Sequence, residues 1–423
     1  MKIPFIAAVL TGLVAMSHGA SSAGSRAFNF RPTPGTAGTV VQQADLYSTE
    51  KGFGFEPAAN GSADGSSNFT ANAKPFLFSV ALPEGNYDVA VQLGDPSADS
   101  TTTVKAESRR LMLENVPVAK GASVARSFTV NIRTAAIEGG DPVRLKAREK
   151  DYLHWDNRLT LEFSGARPAI QSITITPVTN AVTLFLLGDS TVTDQPREPF
   201  NSWGQMLPRF FKPGLAVANY AESGESLRSS RSARRLEKVL VLIRPGDFAF
   251  IQFGHNDQKE KGEGIGAFTS YKTDLKHYVS EIRKRSGQPV LVTSVQRRNF
   301  NAEGRIVSNL GDYPEAVRQV AREEAVPLID LHAMSKPLYE ALEANGKDYS
   351  KKAFAPGDNT HHNNYGSYQL AKCIVEGIKA AKLDLVRFLA AAVAAYDPAK
   401  PDSVDAFKVP ASPIASAAKP DGN

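Results

Sequence analysis

After Thr179 the chain settles into an alternation that admits few folds. Five short apolar runs, TLFLLG, LAVANY, DFAFIQFG, PVLVTSV and VPLID, are the length of strands and are bounded by Gly, Pro, Asn or Asp. Between them lie residues 228–243, 268–285, 313–324 and 365–389, with apolar side chains at helical spacing. Strand and helix taking turns in this way predicts βαβ units, and so a mostly parallel sheet with helices on both faces. Ligands of such sheets bind beyond the carboxyl ends of the strands. The residues just after each apolar run are therefore where chemistry is expected.

The chain before this point has a different character. From Phe28 to about Pro177 it is rich in Thr, Ser, Gly, Val and Asn, and FLFSVAL, NYDVAVQL, SFTVNI, RLTLEF and SITITPV alternate or run apolar between turns. In LPEGNYDVAVQLGD, Pro83 and Gly85 punctuate, and Tyr87, Val89 and Val91 share one strand face. Repeated short strands predict a β-sandwich or jelly roll over residues 27–178, ahead of an α/β domain over 181–390. Residues 1–23 carry one lysine, an apolar run broken by Thr11 and Gly12, and then small residues. That is the pattern of a secretory signal peptide cleaved near Ala20 to Ala23, and it predicts export to the periplasm or the medium. No later segment has the roughly 18 consecutive apolar residues of a membrane span. Residues 397–423 are rich in Pro, Ala, Ser and Asp without periodicity, which predicts a disordered tail.

The one cysteine, Cys373, can form neither an intrachain disulfide nor a thiolate zinc site, and it reads as a core residue. The net charge of +5 favours acidic partners only weakly.

The strand ends collect the reactive residues. The first run empties into Gly188-Asp189-Ser190, the second into NYAESGES, the third into Gly254-His255-Asn256-Asp257 and the fourth into QRRNF. A serine hydroxyl becomes a nucleophile only when a base removes its proton, and histidine is the usual base near neutral pH. Of seven histidines, His18 falls in the leader, His154 in the β-domain and His277 on a helix face, while His332 reads as structural. In FAPGDNTHHNNYG, Asp358 precedes His361 by three residues, a spacing that lets the carboxylate reach the imidazole Nδ1–H. His362 should point elsewhere. Gly224, Asn256 and the Ser190 backbone N–H, the last expected at a helix start, are candidate oxyanion donors. Each feature alone has a plain structural reading as a cap or a turn. Four of them, in order and each at a strand end, point together to acyl transfer.

These residues are similar to the four blocks of the SGNH, or GDSL-type, hydrolases: Ser190, Gly224, Asn256 and His361, with Asp358 as the acid. LGDSTVTDQ, NYAESGESLRS, IQFGHNDQK and DNTHHNNYG resemble more closely the rhamnogalacturonan acetylesterases, over residues 180–390. YSTEKGFGFE, ESRRLML and WDNRLTLEFSG resemble the galactose-binding-like β-domain of some bacterial members. The resemblance implies a flavodoxin-like SGNH fold and removal of acetyl groups from pectic rhamnogalacturonan through an acetyl-serine. It implies no metal or cofactor, and an acetylated acidic polysaccharide as partner rather than nucleic acid or membrane.

Arg228, Arg231, Arg234 and Arg235 follow the Gly224 loop, and Arg297 and Arg298 follow the fourth strand. Guanidinium groups hold carboxylates bidentately, so Arg228, Arg234, Arg235 and Arg297 are candidate contacts to an acidic glycan. A solvated helix face is the competing reading. Trp203 and Phe300 are candidate sugar-stacking rings, with Trp203 equally suited to the core. Three rival functions stay open: a metal hydrolase using Asp257, His255, Asp358, His361 and His362, an esterase of lipids or other acylated glycans, and a non-catalytic carbohydrate-binding protein.

Overall fold

The computed structural model describes residues 24–32, 37–57 and 74–421. The expected leader, residues 1–23, lies outside them. Among the described residues no helix is long and apolar enough to cross a membrane.

The N-terminal unit contains β1 (Arg26–Asn29), β2 (Thr39–Val40), β3 (Phe53–Phe55), β4 (Phe76–Ala81) and β5 (Gly85–Leu93). It continues with β6 (Ser100–Ala106), β7 (Arg110–Val118), β8 (Val124–Ile132), β9 (Arg158–Arg167) and β10 (Ile170–Pro177). They form two sheets, in the orders β2-β1-β10-β5-β8 and β3-β4-β9-β6-β7. Alternation fixes which face is buried. Tyr87, Val89, Val91 and Leu93 of β5 point inward while the residues between them are more exposed. Phe28, Val89 and Ile173 of one sheet and Phe78, Val104 and Leu161 of the other share a single apolar core. With no disulfide available, this packing holds the unit, at about 1.5–3 kcal/mol for each fully buried large side chain.

The second unit is built on five parallel strands: β11 (Val182–Gly188), β12 (Leu215–Asn219), β13 (Phe248–Gln252), β14 (Gln288–Val292) and β15 (Leu328–Ile329), in the order β12-β11-β13-β14-β15. The helices are α1 (Trp203–Met206), α2 (Leu227–Ser232), α3 (Arg235–Leu242), α4 (Lys272–Lys284), α5 (Tyr313–Glu323), α6 (Leu331–Glu343) and α7 (Asn364–Ala380). Both sheet faces are covered, so β11 is apolar on both sides. Leu184 and Leu186 pack with Trp203, Tyr339 and Leu370, while Phe185 and Leu187 pack with Val239, Leu275 and Val317. Cys373 lies in the first of these cores. The chain leaves β11 first to one side and then to the other, which puts the topological switch point between β11 and β13.

Three local details differ from the sequence reading. The helix expected over 228–243 is two helices, broken where Arg234 takes a left-handed φ of 65°. Helix α6 carries Pro337 inside it, and that residue hid its periodicity. The segment after residue 397, expected to be disordered, lies against the hydrolase unit. Tyr365 Oη donates to the Asp402 carbonyl (2.6 Å), Phe407 packs on the rings of Tyr365 and Tyr368, and Ser412 N donates to Glu198 Oε1 (2.8 Å). These anchors are mostly polar and aperiodic, so hydrophobic patterning does not register them.

The two units are joined by buried arginines. Arg110 Nε pairs with Asp194 Oδ2 (3.0 Å) and Arg110 Nη1 donates to the Val217 carbonyl (2.9 Å). Arg133 Nη2 meets the same carboxylate at 3.2 Å, and Arg109 Nη1 donates to the Phe200 carbonyl (2.7 Å). The β-unit thus fixes the loop that leaves β11.

Candidate active site

Gly188 ends β11 because a side chain cannot fit there. An added Cβ would lie 2.6 Å from Val192 Cγ2 and 2.8 Å from the Gln252 carbonyl. The Asp189 carbonyl accepts from the N–H groups of Val192 (3.0 Å) and Thr193 (3.1 Å), folding the chain into a tight turn that carries Ser190. The expected helix start at Ser190 is absent. The next helix, α1, begins at Trp203 behind its own cap, Ser202. A helix dipole therefore contributes nothing at Ser190. The buried Asp189 carboxylate accepts from Thr191 N (2.9 Å) and Oγ1 (2.8 Å) and meets His255 Nδ1 at 3.2 Å, tying the loops after β11 and β13 together. Burial works against its charge, but His255 and Thr191 outweigh it and hold the carboxyl below its ordinary range.

The turn before α7 brings the other side chains. Asp358 Oδ1 accepts from the N–H groups of Thr360 (2.7 Å) and His361 (2.9 Å), and Oδ2 lies 2.9 Å from His361 Nδ1. His361 Nε2 lies 2.8 Å from Ser190 Oγ. Burial favours the neutral acid at Asp358, yet the bonds from His361 and the two backbone N–H groups overcome it and hold the carboxyl well below the carboxylate range. A permanently charged Asp358 keeps the proton on Nδ1 and leaves the Nε2 lone pair for the serine. Ser190 and His361 are each 1% exposed. Gly366 lets α7 approach the segment that precedes this turn, since a Cβ there would sit 1.9 Å from the Ala353 carbonyl. His362 turns away as expected, with Nε2 2.6 Å from Tyr339 Oη and its ring 4.5 Å from that of Phe354.

The three candidate oxyanion donors lie on the loops after β11, β12 and β13. Gly224 has φ 80°, which favours glycine, and Asn256 Nδ2 donates one hydrogen to the Glu225 carbonyl (3.0 Å), leaving the second. Next to it Asp257 is fully enclosed, and burial pushes its carboxyl up to about 8.

The expected substrate contacts fare differently. Trp203 is a core residue whose Nε1 donates to Gln252 Oε1 (2.9 Å), so it offers no face to a sugar. Arg235 is buried between Glu149 (2.7 Å) and Glu225 (2.8 Å). Arg234 pairs with Glu237 and Asp141, Arg231 with Asp274 (3.0 Å) and Arg298 with Asp348 (2.6 Å). Phe300 packs on the core beneath Arg298. These side chains are bound up in structure, because the basic stripe of α2 and α3 faces acids of the β-unit and of α4. Arg228 is exposed, and Arg297 rests on the third loop, with Nη1 on Asn309 Oδ1 (3.1 Å) and Nη2 on the His255 carbonyl (3.4 Å). Among the described residues no three His, Cys, Asp or Glu side chains are grouped so as to hold a metal ion.

Sequence reasoning missed the cations that do line a cavity here. A cavity of about 180 Å³ lies beside the Gly224 loop, with Arg148 from the β-unit, Arg197 and Gln195 from the loop after β11, and Ser223 among its walls. Arg148 precedes β9 in a segment that carries no motif, so only the fold reveals it.

Residues 186–368 match the GDSL-like lipase/acylhydrolase family. The chain is 39% identical over 219 residues to the rhamnogalacturonan acetylesterase RhgT of Bacillus subtilis, covering 48% of this chain and 92% of that protein. It is 34% identical over 206 residues to the probable rhamnogalacturonan acetylesterase YesY of the same organism, covering 48% and 94%. A longer likeness, 27% over 364 residues, spans 82% of this chain and 87% of the uncharacterized esterase YxiM of Bacillus subtilis. The crystal structure of YxiM covers 85% of this chain and 99% of its own, at 23% identity and a TM-score of 0.47. With a relative 39% identical across nearly its whole length, and with the family's match falling on the strands and loops that carry Ser190, Gly224, Asn256 and His361, the chain belongs to the GDSL-like lipase/acylhydrolase family.

Proposed function

We propose that this protein is an exported carbohydrate esterase that removes O-acetyl groups from pectic rhamnogalacturonan through an acetyl-serine intermediate. The observation that carries the chemistry is the Ser190–His361–Asp358 relay, with contacts of 2.8 and 2.9 Å. The 39% identical relative is a rhamnogalacturonan acetylesterase, which supports the substrate.

In this reading Ser190 Oγ attacks the acetyl carbonyl while His361 Nε2 takes its proton. The C–O bond to the sugar breaks, and the leaving alkoxide receives that proton from His361. Water then attacks the acetyl-serine with His361 again as base, which releases acetate and restores the serine. Asp358 stays ionised and stabilises the imidazolium. The N–H groups of Ser190 and Gly224 and the second amide hydrogen of Asn256 stabilise the tetrahedral oxyanion in both halves. One such donor is commonly worth about 3–4 kcal/mol in the transition state. The β-unit, proposed to be a galactose-binding-like jelly roll, holds the loop after β11 in place through Arg109, Arg110 and Arg133.

The test is acetate release from acetylated rhamnogalacturonan by the wild type and Ser190→Ala, beside acetylated xylan and a long-chain ester. Preferential turnover of the pectic polymer, lost in Ser190→Ala, is expected. A preference for the long-chain ester would overturn the substrate assignment, and retained activity in Ser190→Ala the mechanism.

A further inference from the structure

We infer that the cavity beside the Gly224 loop is a carboxylate subsite, built by Arg148 of the β-unit and Arg197 of the hydrolase unit and filled in this structure by the chain's own Asp421. The inference rests on the esterase reading and deepens it, since it assigns a place to a uronate carboxylate of the glycan.

The arginine is held for this task. Its Nη2 is pinned by the buried Glu222 carboxylate and by the Ser223 carbonyl (3.1 Å), both on the loop after β12. That leaves Nη1 to meet the Asp421 carboxylate, and Asp421 lines the cavity. A planar guanidinium fixed along one edge presents the other in a set direction, which suits carboxylate recognition. Arg197, exposed on the opposite strand-end loop, lines the same cavity and has no ion-pair partner among the described residues. Lys146 donates to the Ser223 carbonyl, and its Nζ lies 3.5 Å from where a Cβ on Gly224 would sit. Of the acids in the wall, Glu222 is taken up by Nη2 of Arg148, Asp194 is already paired with Arg110 and Arg133, and Asp151 is left as the exposed carboxylate, against the cations Arg148, Arg197 and Lys419.

Two residues of the cavity wall touch the reacting residues. Gln195 Nε2 donates to the Ser190 carbonyl (2.8 Å) and to Ser223 Oγ (3.2 Å). Phe200, also in the wall, sets its ring edge-on to His361 at 6.1 Å. The occupant segment spans the site: Lys419 Nζ donates to the carbonyl of Gly357, next to Asp358, and the Asp421 Cβ lies 2.9 Å from the position of a Cβ on Gly224. Asp421 thus places a carboxylate beside an oxyanion candidate. Both partners of the Arg148–Asp421 pair are partly exposed, at 31% and 57% of their side chains. A pair this open to water is worth little, so a uronate anchored by further sugar contacts can displace it. A neutral glycan or a fatty chain gains nothing from these cations.

The experiment is calorimetric titration of full-length Ser190→Ala protein with digalacturonate and with its uncharged dimethyl ester. The charged ligand is expected to bind about tenfold or more tightly than the neutral one. Arg148→Gln in the same background should erase most of that difference, and Asp421→Asn should tighten the charged ligand several-fold without moving the neutral one. Equal binding of the two ligands would overturn the inference, as would an Arg148→Gln change that weakens both alike. Should Arg148→Gln not fold, Asp421→Asn and Arg197→Gln, both at exposed positions, carry the same comparison. No ester is cleaved in this assay. A charge preference without acetate release by the wild type would therefore refute the esterase reading alone, and acetate release without a charge preference would refute the subsite alone.

Discussion

His362 Nε2 lies 2.6 Å from the Tyr339 hydroxyl, deep in the core, while the preceding imidazole meets Ser190. Two adjacent histidines are thus turned to opposite tasks. Burial, with the charge of His361 beside it, pushes His362 down to about 3, so it stays neutral at any working pH. We predict that His361→Ala lowers kcat by at least about a thousandfold, the scale of losing a triad member. His362→Ala should instead cost about 2–4 kcal/mol of stability, through a lost ring and an orphaned Tyr339 hydroxyl. It should keep most of the activity per folded molecule. Equal losses of kcat would mean that the relay has been assigned to the wrong ring.

Asp358→Asn preserves shape but removes the charge that fixes the His361 tautomer. Its amide can donate where the carboxylate accepted, which turns the Nε2 proton toward Ser190 instead of the lone pair. The expected result is a fall in kcat of about 10⁴ with KM little changed. The charge also makes a stability prediction. A carboxyl held below its unfolded value stabilises the fold above that value, and the contribution fades as pH falls through the lower folded value. Asp358→Asn should therefore flatten the acid limb of thermal unfolding below about pH 4. An unchanged acid limb would mean that Asp358 is not the depressed group.

Arg235 is expected to matter for folding and not for substrate. It is enclosed by Glu149 and Glu225. Removing it leaves buried carboxylates without a cation, at a cost of about 3–5 kcal/mol. Arg235→Met should lower Tm strongly. Arg234→Glu, at the surface, should leave KM on polymer unmoved relative to a small acetyl ester. A selective rise in KM on polymer for Arg234→Glu would return that helix to the binding surface.

What was legible in the sequence follows from what sequence patterns record. The strands at the core of each unit are read correctly because burial on one or both faces leaves a periodic apolar signature, as in Tyr87, Val89 and Val91 or in Leu184 to Leu187. The meeting of Ser190 with His361 and Asp358 was legible for a different reason: each follows from topology, as a strand end or a short Asp-x-x-His turn. The polar contacts between distant segments were not legible. Arg235 looked like a ligand-binding residue because its acids come from residue 149 and from the Gly224 loop, and nothing in spacing reveals that. Trp203 could stack or pack, and only Gln252 opposite its indole N–H decides. The segment after residue 397 lacked periodicity because carboxylate, carbonyl and ring contacts hold it instead of an apolar face.

The last prediction concerns Asp257, beside the oxyanion candidate Asn256. Its Oδ1 accepts from Leu227 N (2.9 Å), while Oδ2 has no partner among the described residues. Burial first, with the neighbouring Asp189 and Glu260 charges adding to it, pushes the carboxyl up to about 8. The folded protein therefore keeps a proton that the unfolded chain releases near pH 4. This contribution to stability is complete below the unfolded value and is lost as pH rises toward about 8, on the order of 1.4 kcal/mol per pH unit while the two states differ by one proton. Asp257→Asn mimics the protonated acid, with its oxygen toward Leu227 N and its amide where the proton stood. Its unfolding free energy should fall less steeply than that of the wild type between about pH 5 and pH 8. Denaturant unfolding at several pH values measures both slopes. Parallel slopes would show that Asp257 is ionised in the folded protein, and a cation or water would then have to be sought at Oδ2.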